Sequence, residues 1–588
     1  MNDGRAIRPA RCRALVPAVA ACAALAFGAH AVAQTIERHE APGLQAPAPA
    51  PVAPPEPAAD QDTRPLGANL AAMALLTADD PLPTSVGPGR VDSHLLAPPN
   101  AAALDRRLRG FLGKPLSRAL ISQIEDVIVG HYRRAGRPFV AVKLPPQDIT
   151  DGTLRLRVVE FRLGRKSATG ASAAADRSIV DGVRAKSGRP IDGNELSQDI
   201  DWLNHSPFRT ITAVFAPGAD TGVTDLELQA QSTKPWQVFA GYSNSGTPSD
   251  GLDRWMLGGE VGDLITPGSL VSFELTASDD YWMGHDTPFG SASNPQYVSY
   301  SLVTALPLAP RQDLTVTADY LVSNTPSKQF EITSQTAEIS GVYRTALSNF
   351  VAAPGDGSIG VEVRNQRNIT NFGGAKVAQT NADVAQLVFG WTDAWTDPGW
   401  RQSLSLNLRY SPGGLFGGND DSNFLSASGD RVASADDVYG DIAYSGDFHI
   451  VGAWRDVTSV NAQLADRALF STEQTPIGGD PGVRLYVYDD GSFDDGVVWR
   501  NELRTPTLPV RTGAALSAVF SPYVFADTGY AWDLTGVQHT TASSVGAGSD
   551  WRIDNHITGG VTAGVSLQRA AYTHPDAFNL LANIRFTY

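Results

Sequence analysis

Leu404, Leu406, Leu408 and Tyr410 alternate along this chain with Ser403, Ser405, Asn407 and Arg409, and the same period of two recurs in several other segments. Leu314, Val316, Ala318, Tyr320 and Val322 oppose Asp313, Thr315, Thr317 and Asp319, and Val271, Phe273 and Leu275 oppose Ser272, Glu274 and Thr276. Such alternation predicts strands with one apolar and one polar face. It dominates from Pro235 onward. Lipid outside and a wet lumen inside would suit these two faces, although a soluble sandwich alternates in the same way. The final strand tips the balance: Ala582, Ile584, Phe586 and Tyr588 alternate with Asn583, Arg585 and Thr587. An uncovered apolar edge of that kind templates aggregation in a sandwich, whereas in a closed barrel it pairs with the first strand. At about 22 residues per strand and connection, residues 235–588 supply about 16 strands of a transmembrane antiparallel β-barrel.

Upstream the period changes. Leu120, Ile124, Val127, Ile128 and Tyr132 repeat at helical spacing behind a candidate cap, Ser117, and Gly136 with Pro138 ends the helix. Two strands follow, Phe139 to Leu144 and Thr153 to Leu163. The order then repeats: Leu196, Ile200 and Leu203 on a helix, a break at Ser206-Pro207, then strands Arg209 to Phe215 and Thr224 to Ala230 around Pro217-Gly218. Two α+β modules, 81–164 and 165–234, are expected. Residues 34–80 form a linker, Pro/Ala-rich over 41–58 and unable to build a core. Within it, Asn69 to Ala78 is expected to form a short Ala/Leu helix, either a plug element or the first ordered piece of the next module.

Composition narrows the setting. Arg5, Arg8, Arg11 and Arg13 precede an apolar stretch from Ala14 to Ala29 and then Ala31-Val32-Ala33, the pattern of a signal peptide over residues 1–33. Both cysteines, Cys12 and Cys22, lie inside it, so the mature chain is expected to carry no disulfide or thiolate chemistry. Its removal leaves 42 basic against 61 acidic side chains, a formal charge of −19, which disfavours nucleic acid. No later run of 18 or more apolar residues exists for a membrane-spanning helix. Gly113-Lys114 is followed by Pro115 and lacks the spacing of a phosphate loop, and neither HExxH nor GxSxG occurs. Gly417-Gly418-Asn419-Asp420-Asp421 resembles one copy of a calcium repeat but reads as a surface loop. No enzyme activity, cofactor or metal is expected.

Several short pieces, in order, carry a resemblance. The first module has His131-Tyr132-Arg133-Arg134-Ala135-Gly136, Leu144-Pro145-Pro146-Gln147-Asp148 and Gly152-Thr153-Leu154-Arg155-Leu156. The second has Leu203-Asn204-His205-Ser206-Pro207-Phe208-Arg209 and Gly222-Val223-Thr224-Asp225-Leu226. Later come Asn244-Ser245-Gly246, Gly478-Gly479 to Val483-Arg484-Leu485-Tyr486, Asn501-Glu502-Leu503-Arg504 and Phe525-Ala526-Asp527-Thr528-Gly529. From about residue 104 to the end the chain resembles the two-partner secretion transporters (TpsB, the haemolysin secretion and activation proteins).

The resemblance implies POTRA modules in the periplasm, a 16-strand outer-membrane barrel, and a loop near 471–496 folded into the lumen. It also implies an early plug helix, placed at 66–78. The loop tip departs from the family in one respect: Arg484-Leu485 stands where arginine and glycine are usual, so the turn that glycine eases falls to leucine.

The lumen candidates are Arg484 and Tyr486 on the loop, with Asp527 and Gly529 on the wall. Asp527 shares parity with Tyr523 and Phe525, opposite Val524, Ala526, Thr528 and Tyr530, so it points inward, where the Arg484 guanidinium can fork onto it. Without the resemblance, the two read rather as a solvated loop arginine and an ordinary lumen carboxylate, and the resemblance favours the pair. A second candidate site is a pair of client-binding edge strands: Arg209, Thr210, Ile211, Thr212, Ala213, Val214 and Phe215, and Val140 with Val142. The expected function is export of an unfolded, large secreted exoprotein carrying an N-terminal secretion domain. The expected state is a monomer in outer-membrane lipid. Two rivals stand beside it: an insertase of the same barrel superfamily, ordinarily with three or more modules, and a passive porin.

Overall fold

The computed structural model describes residues 60–588 apart from 79, 84–85, 94–95, 97, 221, 284–294, 328–329, 352, 398, 481, 513–515 and 537. The signal peptide at 1–33 and the Pro/Ala-rich stretch at 41–58 lie outside the described residues.

The first module is a four-stranded sheet, in the order β2-β1-β4-β3, under two helices. Its elements are β1 (Ala72–Leu76), β2 (Val91–Asp92), α1 (Ala101–Arg109), α2 (Arg118–Arg134), β3 (Val140–Lys143) and β4 (Thr153–Glu160). Ser117 caps α2 as the spacing suggests, its hydroxyl accepting from the Leu120 amide at 3.1 Å. Leu104 and Leu108 of α1 and Ile124, Ile128 and Tyr132 of α2 pack with Met73, Leu75, Leu154 and Leu156 of the sheet.

The expected plug helix is a strand. Residues 72–76 run parallel to β4 over five successive pairs, hold β2 on the other side, and are buried throughout. Ala, Leu and Met are good helix formers, but a segment this short cannot hold a helix on propensity alone. A central sheet position pairs its main chain on both sides and buries its side chains, and that outweighs propensity. The first module therefore begins upstream of residue 81 and takes in the end of the supposed linker.

The second module has β5 (Arg162–Thr169), α3 (Ala173–Asp181), α4 (Gly193–Leu203), β6 (Arg209–Pro217) and β7 (Val223–Ser232), with sheet order β5-β7-β6. The extended run read as Thr153 to Leu163 serves two sheets, since β4 ends at Glu160 and β5 begins at Arg162. The boundary thus falls at Phe161 rather than after 164. Phe139 joins the core of the second module, with its ring 4.3 Å from that of Phe215. This contact ties the two modules together.

Beyond them, 17 strand segments among the described residues close into 16 staves. Asp495–Arg504 and Leu508–Thr512 pair with successive parts of Leu516–Trp532 and so form one stave, interrupted around Pro506. Phe578–Thr587 closes antiparallel on Trp236–Ser243, and no apolar edge is left at the chain's end. Val524 and Tyr530 are exposed on the outer face while Tyr523, Phe525 and Asp527 are buried. Leu406, Leu408 and Tyr410 also point outward, whereas Asn407 donates to Asp441 inside at 2.7 Å. Among the described residues no helix is long and apolar enough to cross a membrane.

The second module docks on one end of the barrel. Arg184 donates to Ser348 Oγ at 3.0 Å and Asn349 Oδ1 at 3.1 Å, Arg311 donates to Gln198 at 2.7 Å, and the Arg344 guanidinium lies 4.6 Å from the Trp202 ring centroid. These contacts fix the turns at 311 and 348–349 to the module side. Strand order then puts the connections at 413–435 and 466–494 at the far end.

A soluble fragment 60–234 should melt cooperatively, whereas 81–234 should lose the cooperative transition of its first module. Met73 and Leu75 alone bury side chains worth about 1.5–3 kcal/mol each. Circular dichroism melts decide it, and equal melts for the two fragments would refute the role of β1.

Candidate functional site

Residues 466–494 leave the far end of the barrel and turn back inside it. Their first leg is held on one wall: Arg364 donates to the Thr472 carbonyl at 2.7 Å, Gln463 to the Glu473 carbonyl at 2.9 Å, and the Gln386 amide to the Glu473 carboxylate. The return leg reaches the strand His539–Ile553 and the connections at 244–253 and 567–577. Tyr486 Oη donates to the Gln568 carbonyl at 2.8 Å and accepts from the Ser543 amide at 3.3 Å. Asp490 accepts from the Tyr572 and Thr573 amides, both at 2.8 Å, and Asp489 from the Ser249 amide at 2.9 Å. Loop main chain inside a barrel needs such partners, because its own polar groups are otherwise unpaired.

Arg484 and Asp527 meet at the tip. Nη2 lies 2.6 Å from Oδ1 and Nε 2.7 Å from Oδ2, a bidentate fork, and the Arg484 amide donates to Oδ2 at 3.3 Å. The side chains are 6% and 0% exposed. The guanidinium lies 4.1 Å from the Phe525 centroid, where its flat face gains both packing and a cation–π contact. Gly529 is on the same strand, and a Cβ there would stand 2.9 Å from both Ile477 and Val483 of the loop, so its bareness admits the loop's flank.

Leu485 takes φ of 72°, the left-handed conformation that glycine would adopt at least cost. Its side chain meets Tyr523 and Phe525 in a small apolar cluster. About 1–2 kcal/mol of backbone strain is thus offset by burial of a leucine, worth about 1.5–3 kcal/mol. The departure from glycine keeps the turn and adds a hydrophobic plug to it.

The sequence reasoning missed Glu502 as a site residue. Arg484 Nη1 donates to its carboxylate as well, and Arg504 Nε donates to Glu502 at 2.7 Å while its Nη1 reaches Asp550 at 2.8 Å. The signal lay in alternation: Val498, Glu502 and Arg504 share the inward parity of a strand whose Val497 and Trp499 are exposed. Asp489, Asp490 and Asp494 were missed too, since nothing in a Gly/Asp-rich loop says which carboxylate finds a wall. The edge residues lie away from this site, with Arg209 to Phe215 on the outer strand β6 and Val140 and Val142 on the outer strand β3.

A family model described as haemolysin secretion/activation protein ShlB/FhaC/HecB matches residues 222–552. The chain belongs to this family. A second model, POTRA domain of ShlB type, matches residues 97–160. Among curated relatives, the outer membrane transporter CdiB of Dickeya dadantii is 21% identical over 489 residues, 79% of this chain and 80% of its own. The heme/hemopexin transporter protein HuxB of Haemophilus influenzae is 21% identical over 442 residues, 71% and 72% of the two chains. The structure of CdiB from Escherichia coli superposes with a TM-score of 0.67 at 17% identity, covering 93% of this chain and 94% of that one. CdiB from Acinetobacter baumannii gives 0.57 at 14%, covering 98% and 97%.

The protein is therefore an outer-membrane transporter of two-partner secretion, not an enzyme, with its modules in the periplasm and a secreted exoprotein as partner. Connections 413–435 and 466–494 accordingly open at the cell surface.

Two outcomes are expected at the tip. Arg484→Ala and Asp527→Ala should each undock the loop, at a cost below the about 3–5 kcal/mol of a fully dry pair, and the double variant should be no worse than either single. Proteinase K nicking of 471–496 in the folded barrel measures this, and multiplicative losses would show two independent residues. Leu485→Ala removes the packing and keeps the strain, so it should loosen the loop by about 1 kcal/mol more than Leu485→Gly in the same assay; the reverse order would refute the balance.

Proposed function

We propose that the transporter captures its exoprotein unfolded, by main-chain pairing on the module edges, and passes it through the lumen when the inward loop yields. The observation that carries this reading is the direction of the β6 main chain. Asn204 grips the outer edge of β6: its Oδ1 accepts from the Ile211 amide at 2.6 Å and its Nδ2 donates to the Ile211 carbonyl at 3.1 Å. Both main-chain groups of Ile211 therefore face away from β7, and antiparallel geometry alternates from there. Ala213 and Phe215 also face the outer edge. Thr210 and Thr212 face β7, in keeping with the Thr233 amide donating to the Phe208 carbonyl at 2.8 Å.

The same reasoning applies to β3. The Phe161 amide donates to the Phe139 carbonyl at 2.9 Å, so position 139 faces β4, and Val140 and Val142 turn outward. Added strands are recognised through main-chain hydrogen bonds that hardly depend on client sequence, while alternate side chains supply the discrimination. Asn204 closes the Ile211 end of the β6 edge and leaves 213–215 as the stretch for an extended client with an N-terminal secretion domain. Passage draws on no nucleotide site in this reading; folding of the client outside the cell pulls the chain through. The transporter acts as a monomer.

Ala213→Pro removes one outward donor, and a proline is tolerated on an edge. Secretion should fall about fivefold while the module and barrel still fold, since each lost main-chain bond is worth about 1 kcal/mol. Thr212→Pro breaks the ladder to β7 and should instead lower the melting temperature of the module. Undiminished secretion by a folded Ala213→Pro variant would move client binding elsewhere.

A further inference from the structure

At the cell-surface end the connection 413–435 carries a helix, Asp421–Ala427, that covers the root of the inward loop. Phe424 of this helix is fully buried against Phe470, with ring centroids 5.1 Å apart, and Ala382 and Val384 of the wall complete the cluster with Val432 and Ala435. Farther along the same connection stands Arg431. Its Nη1 donates to the two oxygens of Asp494 at 3.0 and 3.1 Å and its Nη2 to Oδ1 at 2.9 Å, while Nη2 also reaches the Leu469 carbonyl. Asp494 is wholly buried, and it accepts from the Leu469 amide at 2.9 Å, Gln474 Nε2 at 3.0 Å and the Leu534 amide at 2.9 Å.

One carboxylate thus gathers both feet of the inward loop (Leu469 and Asp494 itself), the next surface connection (Leu534) and the surface cap (Arg431). We propose that Arg431 and Asp494 are the positioning pair of an outer gate, which holds the 413–435 cap on the roots of the inward loop and keeps the exit shut until the fork opens. The asymmetry of the pair suits a latch rather than a staple. If Arg431 withdraws, Asp494 keeps three donors of its own, and Arg431, one quarter exposed, can move into water. Neither charge is stranded, so the barrier to opening is lower than for a carboxylate with a single cation. Asp527, by contrast, leans on the Arg484 fork and one long amide contact, with Arg500 Nε no nearer than 4.0 Å. Cap and tip are then separate closures in series, and releasing one does not release the other.

The gate rests on the export reading, and its test has an arm that needs no client. In planar lipid bilayers the full-length chain with Arg431→Ala should show an open fraction about tenfold above wild type. That is the size expected when one charge-assisted pair stops biasing a two-state equilibrium. Arg431→Lys should fall between, as it keeps the charge and loses the fork, and the thermal midpoint of the folded barrel should hold in both. A wild-type open fraction in folded Arg431→Ala overturns the gate. In the second arm, Ala427→Cys with Ala468→Cys, both half-buried on the same cluster, is bridged by a cleavable bis-maleimide. Exoprotein secretion should stop while the bridge is intact and return when it is cut; undiminished secretion through an intact bridge also overturns the gate. Bilayer opening as expected, with no secretion even from wild type, would fault the client reading alone.

Discussion

A carboxylate with none of its side chain in contact with water must have a cation or several amide donors beside it. Asp527, on the inner wall of the barrel, has the first, and much of the lumen is arranged around that need. Arg484 answers it with a fork and a main-chain amide, and to deliver that fork the loop must run down the barrel and reverse at Leu485 in a left-handed turn. The wall is shaped to receive it. A Cβ on Gly546 would stand 2.7 Å from the Phe525 ring, and one on Gly564 3.0 Å from Leu485, so bare backbone makes the recess in which the guanidinium and its aromatic bed lie. Glu502 then shares Arg484 with Asp527 and takes Arg504 on its other side, spreading the charge along two strands.

The barrel was legible because its physics is local to the chain. Period-two alternation is imposed wherever one face meets lipid and the other water, and it can be read at Leu404–Tyr410 without knowing what pairs with what. The inward direction of Asp527 followed from the same parity, and only its coupling to Arg484, across a long loop, needed the resemblance to supply a partner. What escaped was decided by distant contacts. Ala72–Leu76 carries a helix-forming composition and becomes a strand because β2 and β4 flank it. The helices Ala101–Arg109 and Ala173–Asp181 are short and polar enough to hide among loops. The break between β4 and β5 is invisible in a run of alternating residues that simply passes from one sheet to the next at Phe161. Glu502 stood in a quoted motif, yet parity says only that it faces the lumen, not that it completes a network.

In the proposed capture, the modules turn a general kind of binding into a directed one. Main-chain pairing on a sheet edge tolerates almost any extended client, so its use in transport depends on where the edge is held. Phe139 locks the first module to the core of the second, and Trp202, Arg184 and Gln198 fasten the second to the turns around 311 and 348. The β6 edge is thereby fixed beside the barrel mouth instead of swinging on a tether. Client binding there, as proposed, would raise the local concentration of unfolded chain at the entrance, which a loosely attached receptor would do far less well.

In the proposed reading, opening such a pore by client binding alone requires that closure be weak enough for the client to reverse. A main-chain hydrogen bond contributes a net ~1 kcal/mol, so a client strand making three or four of them brings about as much free energy as the loss of one buried ion pair, about 3–5 kcal/mol. The tip contact is of that size. Were the tip, the first leg and the surface cap a single rigid plug, their combined cost would exceed what any one captured segment could supply. Division of the closure among chemically separate contacts, at Asp527, at Thr472 with Glu473, and at Asp494, would let each be given up in turn as chain enters in the proposed passage. Such a closure would yield, step by step, to a binding energy of only a few kcal/mol.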